Sequence, residues 1–130
     1  MKSVLLLEKA RKSLRVGREI LEGGDPEFAS SRIYYAFFYT AQALLETRGL
    51  TFARHGQVIG QYGLHFSKTQ ILDPAFHKAL SSAYKLRQLG DYQVEAPIDP
   101  EAVEDLASIC ERFIEAASRY VAGLSEPSPE

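Results

Sequence analysis

Apolar and polar positions alternate along most of this chain with the three-to-four spacing of amphipathic helices, but one stretch breaks the rule. In Ser31-Arg-Ile-Tyr-Tyr-Ala-Phe-Phe-Tyr-Thr-Ala-Gln-Ala-Leu-Leu45, almost every position from Ile33 onward is apolar or aromatic. No rotation of such a helix turns a polar face to water, so the pattern predicts a buried helix with others wrapped round it. Arg32, Gln42 and Glu46 bracket too few apolar residues for the roughly 20 that a membrane-spanning helix needs. Taken alone, Ile33 to Tyr39 also fits a buried strand. The continuation through Ala41, Ala43, Leu44 and Leu45, with no Gly or Pro before Gly49, favours helix.

The amphipathic lengths follow from the same reading. Leu7, Ala10, Leu14, Gly17 and Leu21 mark one face of a helix from about 3 to 22, which Gly23-Gly24 ends. Phe76, Ala79, Leu80, Ala83 and Leu86 mark a helix from 74 to about 89, with Gly90 as its expected end. Val103, Leu106, Cys110, Phe113, Ala117 and Tyr120, flanked by Ala102, Ile109 and Ala116, give a wide stripe from 100 to about 122. Asp25-Pro26, Asp73-Pro74 and Asp99-Pro100 mark three helix starts. Each Asp can accept from free amides there, and each Pro fills the first helical position, where its missing N–H costs nothing.

Between Gly49 and Asp73 the pattern loosens into a loop and a short helix from about 56 to 66. Its Val58, Ile59, Tyr62, Leu64 and Phe66 call for burial as a flap on the bundle. Gly56, Gly60 and Gly63 there serve either tight helix packing or close backbone approach to a ligand. The expected fold is all-α: an up-and-down antiparallel bundle of four long helices, with a short helix between the second and third long ones. Residues 1–124 form one domain, and 125–130, with nothing to bury, form a disordered tail.

Composition narrows the function classes. With 15 basic and 17 acidic residues and a formal net charge of -2, the chain has no global attraction to nucleic acid, so any polyanion site is local. The single cysteine, Cys110, allows no internal disulfide, and Met1-Lys-Ser-Val-Leu-Leu-Leu-Glu-Lys breaks into charge too early for a secretory segment. A cytoplasmic location, with no membrane association, is the expectation. Cys110 falls among Leu106, Ile109 and Phe113 at helical spacing, as a buried small hydrophobe does. His55, His65 and His77 are too unevenly spaced to share a helical face as metal ligands, and no phosphate loop follows a strand. Neither metal nor cofactor is expected, and no residue is assigned as catalytic.

Chemistry concentrates in Leu86-Arg-Gln-Leu-Gly-Asp-Tyr92. Arg87 near a helix C-terminus offsets the helix dipole in one reading. In another it grips a phosphate in bidentate fashion, with Asp91 and Tyr92 at the same corner and Tyr92 stacking on a base. Arg32 fits a surface ion pair with Asp25, Glu27 or a neighbour, or a second guanidinium aimed into a groove near Tyr35 and Tyr39, which stand at i and i+4. His55 is a cap or loop residue, or a polar contact at the mouth of that cleft.

Together, residues 31–39, Arg-His-Gly-Gln-Val-Ile (54–59), Leu-His-Phe-Ser-Lys-Thr (64–69) and 86–92 resemble the HEPN superfamily of nucleotide-binding domains, most closely its small stand-alone prokaryotic UPF0332-like branch. The resemblance runs from about Leu7 to Tyr120. It implies a helical bundle that pairs into homodimers or higher oligomers, binds nucleotide or RNA, and in some members works beside a minimal nucleotidyltransferase as a toxin-antitoxin pair. Ribonuclease members carry an Arg followed four to six residues later by a His, for metal-independent attack by the ribose 2'-hydroxyl. Arg87 matches that arginine, but Asp91 and Tyr92 stand where the His is expected, and Tyr39 stands where relatives often have His. An accessible aspartate titrates well below pH 7 and offers no protonated acid to the leaving oxygen. The resemblance therefore points to nucleotide or RNA binding at Arg87, Asp91, Tyr92, Arg32 and His55. A degenerate metal-independent ribonuclease toxin and a structural partner for a nucleotidyltransferase are the alternatives. Tyr92 is the local match for the tyrosine that some members have adenylylated.

Overall fold

The computed structural model describes residues 1–92 and 97–125, with the side chains of 90–92 and 125 outside the description. The described residues form α1 (Lys2–Glu22), α2 (Pro26–Glu46), α3 (His55–Tyr62), a π-helical turn (Gly63–Ser67), α4 (Pro74–Tyr92) and α5 (Pro100–Ser125). The protein is all-α, with its short helix between the second and third long ones, as the sequence pattern predicts. The tail expected to be disordered lies, beyond Ser125, outside the described residues.

Each helix begins and ends for a local reason. Pro26, Pro74 and Pro100 are the first residues of α2, α4 and α5. Asp73 Oδ1 accepts from the Ala75 amide at 2.9 Å, and Asp99 Oδ1 from the Glu101 amide at 3.0 Å. Asp25 departs from expectation: its side chain makes no capping bond, and its backbone carbonyl instead accepts from Ala29 at 3.0 Å. At the end of α1 the left-handed residue is Gly24, φ 93°, flanked by bonds from Gly24 to Leu21 and from Asp25 to Ile20. The same pair of bonds closes α2 around Gly49. This is the Schellman arrangement, which satisfies the last carbonyls of a helix.

Gly90 does not end α4, which runs on to Tyr92. One glycine costs a helix only about 1 kcal/mol relative to alanine, and no proline follows until Pro97. Asp91 and Tyr92 thus belong to a continuous last turn rather than to a break after Arg87.

α2 is the hub and packs on α1, α3, α4 and α5. Ile33, Tyr34, Ala36, Phe37, Phe38, Ala41, Leu44 and Leu45 are all buried, which is why this helix tolerates no polar face. α1 runs antiparallel to α2, as Ser13 Oγ bonding Arg32 O and Lys2 pairing with Glu46 show at successive levels. It is also antiparallel to α5, through Arg11 on Ser118 and Arg18 near Glu111. Phe113 of α5 joins three elements, with its ring 6.0 Å from Phe37, 5.0 Å from Phe76 and 5.3 Å from Tyr62.

The flap is real, but its burial is selective. Val58, Tyr62 and Phe66 are buried, Ile59 is half-buried and Leu64 is exposed. Gly63 answers the question left open by the glycines: a Cβ there would stand 2.5 Å from the His77 ring, so it serves tight packing on α4. Nothing lies within 4 Å of a Cβ built at Gly56 or Gly60.

Candidate nucleotide-binding corner

Three elements meet beside the N-terminal half of α2. The all-apolar pattern of α2 forces Tyr34 inward and leaves Tyr35, one position on, half-buried at the rim. The N-terminus of α3 brings in His55, and the penultimate turn of α4 brings in Arg87. The His55 ring stacks on Phe38 at 4.4 Å between centroids and 15° between planes. Its Nδ1 lies 2.6 Å from the Tyr34 hydroxyl. Tyr84 of α4 closes the inner wall, 5.4 Å from the Tyr34 ring.

Arg87 lies across both tyrosines, its guanidinium carbon 5.5 Å from the Tyr34 centroid and 5.1 Å from that of Tyr35. A guanidinium over an aromatic face is held there by the ring quadrupole. Arg32 also approaches the Tyr35 ring, at 5.9 Å. Among the described residues Arg32 makes no ion pair with Asp25 or Glu27, so the surface-pair role does not describe it.

Electrostatics follow from burial and from Arg87. Desolvation pushes the Tyr34 phenol well above its ordinary range, with Arg87 acting in the opposite direction, so Tyr34 is protonated at neutral pH. Burial first, and Arg87 second, lower the His55 imidazole below its usual 6.5, so His55 is predominantly neutral at pH 7. When Tyr34 donates to Nδ1, the imidazole carries its proton on Nε2 and can donate it outward.

Of the residues singled out from sequence, Arg87, His55 and Arg32 thus come together around Tyr35. Asp91 and Tyr92 lie one turn further along α4, and their side chains fall outside the described residues. His55 opens α3 without capping it through its side chain, and stands in the cleft wall. Sequence reasoning passed over Tyr34, Phe38 and Tyr84. The available signal for Tyr34 was that a buried tyrosine hydroxyl needs a partner. Tyr39 lies next to the corner, its ring 5.8 Å from that of Tyr35, with Lys9 Nζ 4.7 Å over it.

Cys110 is buried, with its thiol pushed far up by desolvation, and behaves as a core residue. No described group of three His, Cys, Asp or Glu residues could hold a metal. No described helix is long and apolar enough to cross a membrane.

Comparison with known proteins agrees with this architecture. The HEPN domain family model matches residues 3–120. A protein of Methanocaldococcus jannaschii named "Putative toxin MJ0142" is 34% identical over 116 residues, covering 89% of this chain and 79% of its own. A Thermotoga maritima protein named "UPF0332 protein" is 30% identical over 116 residues, covering 89% and 88%. With the family model spanning all five helices and these relatives aligned over most of their length, the chain belongs to the HEPN family, among its small UPF0332-like members.

Proposed function

We propose that the corner formed by Arg87, Tyr35, His55 and Arg32 binds a nucleotide or the backbone and bases of RNA, and that the protein acts as the HEPN component of a toxin-antitoxin or nucleotidyltransferase-associated system. One observation carries the binding part: two guanidiniums approach a rim tyrosine whose ring lies 5.9 Å from the His55 imidazole. Arg87 and Arg32 supply charge for phosphate, Tyr35 supplies a face for a base, and His55 a neutral hydrogen bond. Asp91 and Tyr92 remain part of this proposal by their position after Arg87. The name of the Methanocaldococcus jannaschii relative supports the toxin setting. Pairing into a homodimer or higher oligomer, and association with a minimal nucleotidyltransferase, belong to the same proposal, with family membership as their support.

The test is calorimetric titration of wild type and Arg87→Ala with ATP and with a short single-stranded RNA. Loss of the hydrogen bonds from one charged group should weaken binding by about tenfold or more. Equal affinity in the two proteins would remove Arg87 from the site. Wild type that binds neither ligand but co-purifies with a nucleotidyltransferase would favour the structural-partner alternative.

A second reading, metal-independent RNA cleavage, gains from one feature. The segment after Arg87 lacks a histidine, yet α3 places one close enough for Arg87 to help depress its titration. A base role requires the opposite tautomer, with Nδ1–H donating to Tyr34 and Nε2 free to take the 2'-hydroxyl proton. Cleavage that survives chelator and is lost in both Arg87→Ala and His55→Ala would support it. Intact RNA after prolonged incubation would exclude it.

A further inference from the structure

The aromatic row on α2 does not stop at the corner. The Tyr35 ring lies 5.8 Å from that of Tyr39, and Tyr39 in turn lies beneath Lys9. These residues open into a groove of about 340 Å³ between α1 and α2, where Lys9, Lys12 and Arg32 stand around Tyr39. All three cations are exposed, and none forms an ion pair among the described residues. No carboxylate occurs among the groove's described lining residues.

A larger cleft, of about 430 Å³ between α1 and α5, makes the contrast. There the arginines of α1 face a greater number of glutamates, and two pairs are formed, Arg15 with Glu19 and Arg18 with Glu111. That cleft is net negative and offers a polyanion little. On a chain of net charge -2, the α1–α2 groove sets three cations without an ion pair together beside a tyrosine face. Cations that follow a backbone, alternating with rings that accept any base, are the arrangement by which proteins hold single strands.

We infer that the α1–α2 groove is a second subsite, continuous with the Arg87 corner, which carries an extended single-stranded RNA with its phosphates along Arg32, Lys9 and Lys12 and a base on Tyr39. The inference rests on the corner reading and deepens it, because it makes the ligand a strand rather than a mononucleotide. The junction is Tyr35, whose ring both Arg87 and Arg32 approach. A strand crossing it has Arg32 one helical turn before Tyr35 on α2 and Tyr39, beneath Lys9, one turn after.

The experiment measures binding of labelled diuridylate and octauridylate by fluorescence anisotropy across a salt series, for wild type and for Lys9→Gln/Lys12→Gln. Both lysines are exposed on α1, and circular dichroism verifies that the variant folds. In wild type the octamer should bind more tightly than the dimer. In the double variant that advantage should shrink about tenfold, and the slope of log affinity against log salt should fall by about 1.4, as expected for two lost contacts to a single strand. A double variant that keeps both the octamer advantage and the salt slope would overturn the groove while leaving the corner standing. Wild type that binds neither oligonucleotide would overturn the corner reading, and the groove with it.

Discussion

His55 feels two influences of the same sign, since its burial against Phe38 and the Arg87 charge both disfavour the imidazolium. The folded pKa therefore lies below the unfolded one, and between the two the unfolded chain binds more protons. Stability is full above about 6.5 and declines as pH falls through that window towards the folded value. Urea unfolding at pH 7.5 and 5.5 should show the loss, and His55→Gln should reduce it; an unreduced pH dependence in that variant would assign it to other groups. An added phosphate beside the ring would raise the same pKa, so ligand affinity should increase on mild acidification. Tyr34→Phe removes the 2.6 Å bond and leaves a half-buried nitrogen without it. It should cost about 1 kcal/mol in chemical denaturation, the size of an ordinary buried hydrogen bond. At this scale the sequence showed Arg87, Arg32 and His55 as polar residues with two possible roles each. It did not show that neighbouring Tyr34 and Tyr35 divide the work, one inside bonding His55 and the other at the rim. That division depends on how α3 and α4 land on α2, which no local pattern records.

Among the elements, helix starts were legible because Asp-Pro carries its mechanism within two residues. The capping bonds separate what the shared motif could not. Asp73→Ala and Asp99→Ala should each cost about 1 kcal/mol in thermal or urea unfolding, because each loses a bond to a helix-start amide. Asp25→Ala, with no such bond to lose, should cost distinctly less. A large effect at Asp25 would contradict this assignment. The end of α4 was misread because a lone glycine is a weak stop when nothing reinforces it. The flap was placed correctly, yet its π-helical turn was not foreseen. At that turn Gly63 abuts His77 of α4, a contact with another helix that no local pattern records. Gly63→Ala would drive a methyl into that imidazole, and should destabilise the fold by about 1–3 kcal/mol.

For the whole molecule, the organising fact is a helix with no polar face. Burying α2 fixes the all-α class, makes the other helices its wrapping, and leaves Arg32, Tyr35 and Tyr39 among the residues of α2 that meet solvent. Lys9, Lys12 and Arg32 gather beside that rim, although the net charge of -2 by itself predicts no affinity for nucleic acid. The fold was largely legible because it depends on periodicity. The site was legible only in part because it depends on juxtaposition across α2, α3 and α4. The most direct test of the central claim is an NMR titration of the isotope-labelled protein with a short single-stranded RNA, following backbone amides and the His55 ring. The account predicts that the largest shifts map to Tyr34, Tyr35, His55, Tyr84 and Arg87, with the His55 pKa rising on saturation. Shifts confined to the net negative cleft around Arg18 and Glu111, or no shifts at millimolar RNA, would contradict it.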